Sequence, residues 1–154
     1  MSRQKTAAPG TVPAAPIRTE ALELIAQGQA GLFRVRTLIR AAWLLNDGPV
    51  PTPLLDQARE LLMAAVPRVE ALERRLDCEP AKLRAPEVVS VFLNDLATVD
   101  GMVEAARVLV DAEPAREQDD DLLGAIYLLN EASEDLKELE LALARAFHSA
   151  REAA

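Results

Sequence analysis

Few residues in this chain have chemistry to offer. Cys78 and His148 are the one thiol and the one imidazole among 154 residues. A cysteine nucleophile needs a neighbouring base, and His148 is the sole imidazole that could serve. Cys78 follows an expected helix C-terminus, where the helix dipole disfavours a thiolate. A di-iron bundle needs inward-facing glutamates and Glu-x-x-His on two helices; the residue three before His148 is Arg145. Asp119, Asp120 and Asp121 lack the alternating ligands, central glycine and closing glutamate of a calcium loop, and read as helix-capping acids. Neither Gly-x-Gly-x-x-Gly nor a phosphate-cradling Gly-Lys-Ser/Thr occurs. These patterns predict no catalytic residue, no metal ligand set and no cofactor, hence a non-enzymatic protein.

The stretch Gly31 to Leu45, GLFRVRTLIRAAWLL, is of a different kind. Arg34, Arg36 and Arg40 stand among large apolar residues, with no acid between Glu23 and Asp47. Such a run suits an anionic surface, a protein interface, or a bundle helix whose arginines extend into water over apolar neighbours.

Four segments must position these residues. Taken at steps of three and four, the first carries Ile25, Gly28, Leu32, Val35, Ile39 and Ala42. The second carries Leu55, Ala58, Leu62, Ala65, Val69, Leu72 and Leu76. The third has Val89, Phe92, Leu96, Val99, Val103, Ala106 and Val110, and the fourth Leu122, Ala125, Leu129, Ala132, Leu136, Leu139, Leu143 and Ala146. Every position but Gly28 is apolar, which places one stripe along one face of each helix. The stripes predict an all-α, antiparallel up-down-up-down four-helix bundle with helices over about 19–46, 53–77, 86–112 and 120–150. An elongated hairpin that completes its bundle only in a dimer is the alternative. Thr52 and Pro53 mark a helix start. Pro67 interrupts the second helix's hydrogen bonding and predicts a kink near Met63–Pro67. Residues 1–18, with Pro9, Gly10, Pro13 and Pro16, read as a disordered Ala/Pro-rich tail before a single bundle domain at 19–151.

Composition narrows the setting. Half of the residues are hydrophobic, only 3% aromatic, and the formal net charge is −8. A net acidic chain is a poor match for nucleic acid, whose binding requires a basic face. The lone cysteine predicts a reducing, cytoplasmic setting, and neither a secretory leader nor an apolar run of membrane-spanning length is legible. The excess of 14 Arg over 3 Lys fits a GC-rich bacterial genome. The connections after the first and third helices gather Asp47, Asp56, Asp111, Glu113, Glu117 and Asp119 to Asp121 against Arg116, an acidic end for the bundle.

The first helix stands apart. Opposite its stripe lie Ala26, Ala30, Phe33, Ala41 and Leu44, so it is apolar nearly all round, whereas the backs of the second and fourth helices are charged. A helix apolar on two faces must cover both. Phe33, Arg36, Arg40, Trp43 and Leu44 are the candidate interface, since aromatic and arginine side chains favour interface centres. Self-pairing is the commonest assembly, so a homodimer through this helix is the expected partner arrangement. A small-ligand or anionic lipid or inclusion-surface binder is the alternative, with a membrane role opposed by the net charge.

Overall fold

Helix formation follows the stripes and stops at the predicted punctuation. The computed structural model describes residues 14–46, 52–77 and 86–153. Four helices run in chain order: α1 (Ala14–Leu45), α2 (Pro53–Leu76), α3 (Pro86–Asp111) and α4 (Asp120–Ala153), with a 3-10 turn at Pro114–Gln118 before α4. α1 begins at Ala14, inside the segment expected to be a tail. Pro16 sits in its first turn, where a missing N–H removes no helical bond. The rest of that tail expectation, residues 1–13, lies outside the described residues. α2 continues through Pro67 without a break, with the proline exposed.

Each helix packs on its neighbours in sequence, and α1 closes on α4, so the four form a ring. The bundle is therefore complete within one chain, and the open-hairpin alternative falls away. Arg36 pairs with Glu73 and Arg40 with Glu70; partners that descend as the arginines ascend make α1 and α2 antiparallel. Thr52, before α2, donates its hydroxyl to Glu113, after α3, at 2.7 Å. That bond sets the first and third connections at the same end, as an up-down bundle requires.

The core is the sum of the stripes. Every stripe position from Ile25 to Leu143 is buried; the side chain of Ala146 lies outside the described ones. Alternating Leu or Val with Ala along each stripe lets the layers interdigitate. Gly28, the one stripe position without a side chain, explains itself here. A Cβ there would sit 2.6 Å from Leu76 Cδ1 and 3.6 Å from Leu139 Cδ1, so α1 approaches both neighbours closely at this level.

Among the described residues, three polar ones are buried with the core: Asn46, Glu113 and Ser133. Asn46 closes α1, its N–H donating to the Ala42 carbonyl and its Nδ2 to the Leu55 carbonyl at 3.1 Å. Thr52 caps α2 by accepting from the Leu55 N–H. At the expected acidic end, Glu113 turns inward, Arg116 pairs with Asp111, and Asp119 accepts from the N–H groups of Asp121 and Leu122. Much of that charge is thus spent on caps and pairs. Asp47 lies outside the described residues.

Candidate protein interface

Arg34, Arg36 and Arg40 of α1 find their partners within the bundle. Arg36 makes a two-pronged contact with Glu73, Nε to Oε1 at 2.8 Å and Nη2 to Oε2 at 3.2 Å. Arg40 Nη2 reaches Glu70 at 2.9 Å. Arg34 turns the other way, to Glu131 at 3.0 Å and Asp135 at 2.8 Å on α4. α1 has no acids of its own along this stretch, so its cations are neutralised from both sides and tie it to α2 and α4. The planar fork of Arg36, half-buried with Glu73, is the best-formed of these pairs.

Of the five candidate interface residues, the structure brings Arg40, Trp43 and Leu44 onto the seam between α1 and α2 as part of an apolar groove and its rim, with Phe33 and Arg36 one stage along the same seam. Arg36 and Trp43 are half-buried, whereas Phe33 and Leu44 remain 59% and 63% exposed in the closed bundle. Trp43 and Leu44 form one wall of a groove of about 420 Å³ with Arg40 at its rim. Leu62, Met63, Val66 and Pro67 form the opposite wall from α2. Arg59 stacks over the Trp43 ring, 4.7 Å from its centroid. The Trp43 indole N–H is buried without an acceptor among the described residues. Pro67 has no N–H to give the Met63 carbonyl four residues before it.

Phe33 occupies a second, polar stage of the seam. The Arg36 guanidinium lies 5.3 Å from its ring centroid, a cation–π distance. Glu70, Glu73, Arg74 and Asp77 line the depression beside it. With Arg40 and Arg59, this gives four cations and three anions along one seam of a chain whose net charge is −8.

The α2 wall was not legible in advance. Met63, Val66 and Pro67 fall outside the stripe of α2, and their spacing of three and one is the only trace of a second apolar strip. What makes them a wall is their position opposite Trp43 and Leu44.

The seam between α3 and α4 is acidic by contrast. The buried Ser133 hydroxyl lies 2.7 Å from Asp100 and 3.2 Å from Glu104. Hydrogen bonding from Arg107, chiefly, holds the Glu104 carboxyl below the ordinary glutamate value. Burial, and then the charge of Asp100, pushes Glu140 up, with Lys137 opposing. Burial also raises Asp135, and the Arg34 charge offsets part of this.

Among the described residues no group of three or more His, Cys, Asp or Glu converges as a metal site, and no helix is long and apolar enough to cross a membrane. Cys78 and the side chain of His148 lie outside the described ones, so their separation is not on view. No protein-family model, no curated protein and no solved structure matches this chain, and its function has to be argued from its own surface.

Proposed function

We propose that this chain is a non-enzymatic helical interaction protein that acts as a homodimer through α1, with α2 supplying the second wall of the contact. The observation that carries the reading is the exposure of Phe33 and Leu44 after the bundle has closed. A helix in a finished bundle has no further intramolecular partner for a second apolar face, and removing that face from water favours association. Charge supports a second copy as the occupant. Two chains of net charge −8 repel in general. The α1/α2 seam carries no excess of acid, so two copies meet there without that penalty. The anionic-surface alternative is weakened by the same ion pairs, because Arg34, Arg36 and Arg40 are already engaged by carboxylates of α2 and α4.

Sedimentation velocity on the full chain tests this. The expected species at micromolar concentration has twice the 16.7 kDa chain mass. Phe33→Glu/Leu44→Glu should return it to the single-chain mass with unchanged helical circular dichroism. A wild-type protein at the single-chain mass over the whole concentration range would overturn the reading.

A further inference from the structure

We draw no further inference here: the strongest candidate, the apolar groove and exposed face on the seam between α1 and α2, carries nothing beyond the reading above because nothing in the structure shows what covers it.

Discussion

The seam between α1 and α2 and the seam between α3 and α4 close the same bundle by different means. At the first, cations of α1 meet carboxylates of α2, and the excess surface is apolar: Phe33, Leu44 and Met63 stay exposed. At the second, carboxylates crowd one another around a buried serine, relieved by Arg107 and Lys137. The acidity of the chain is thus unevenly placed. Apolar residues stay in water on both sides: Phe33, Leu44 and Met63 on α1 and α2, and Val88, Val91, Val108, Leu123, Tyr127 and Leu141 on α3 and α4. Stability is drawn from the stripes that both seams share, which leaves the seam polar groups free to differ.

Breaking the shared core should cost the most. Leu62→Ala removes a fully buried side chain that also floors the groove. It should lower unfolding free energy by about 2–5 kcal/mol in urea titration, and open the groove further. The seams should then separate. Arg36→Ala leaves Glu73 half-buried without its fork, at a cost of about 1–2 kcal/mol. Ser133→Ala removes the hydroxyl between Asp100 and Glu104, at a cost of about 1 kcal/mol. The Arg36→Ala loss should shrink in high salt. The Ser133→Ala loss should shrink too, for the opposite reason, because salt screens the carboxylate repulsion.

Glycines probe the closeness of α1. A Cβ at Gly31 meets nothing within 4 Å, so Gly31→Ala should stabilise by about 0.5–1 kcal/mol through helix propensity. At Gly28 the same change must displace Leu76, and the gain should be cancelled or reversed. Thermal melts of the two variants would show opposite shifts.

The smallest expected effect is a pH dependence of the acidic seam. Glu140 has a raised pKa in the fold, so protonating it favours the folded state. Its contribution is fully present below the ordinary glutamate value of 4.5 and lost as pH rises through the raised one. Glu104, lowered, works in the other sense and loses its contribution as pH falls below 4.5. Glu140→Gln should therefore stabilise at pH 7 by about 0.5 kcal/mol or less, with the gain vanishing near pH 4. An equal gain at both pH values would show that Glu140 does not titrate as its burial implies.

How much of this was legible beforehand follows from what a periodicity measures. Spacing of three and four assigns each residue an angle about its own helix axis, and that angle decided which residues enter the core, Gly28 included. The same angles put Phe33 and Leu44 away from the core, and the structure leaves them in water. Arg36 was read only as flanking the stripe, because its partner Glu73 belongs to another helix. Glu113 was counted with an acidic end, yet it is buried against Thr52, 61 residues away along the chain. Ser133 carried no signal at all; one serine beside a stripe looks like any other until two carboxylates of α3 lie opposite.

The sequence by itself determined the helices, their caps and the inward stripe, since these follow from local periodicity and the hydrogen-bonding needs of helix ends. Only the tertiary structure decided which carboxylate answers each arginine, and that Met63, Val66 and Pro67 wall a groove with Trp43. Those outcomes depend on which helices are neighbours and at what level they meet, and no single helix carries that information.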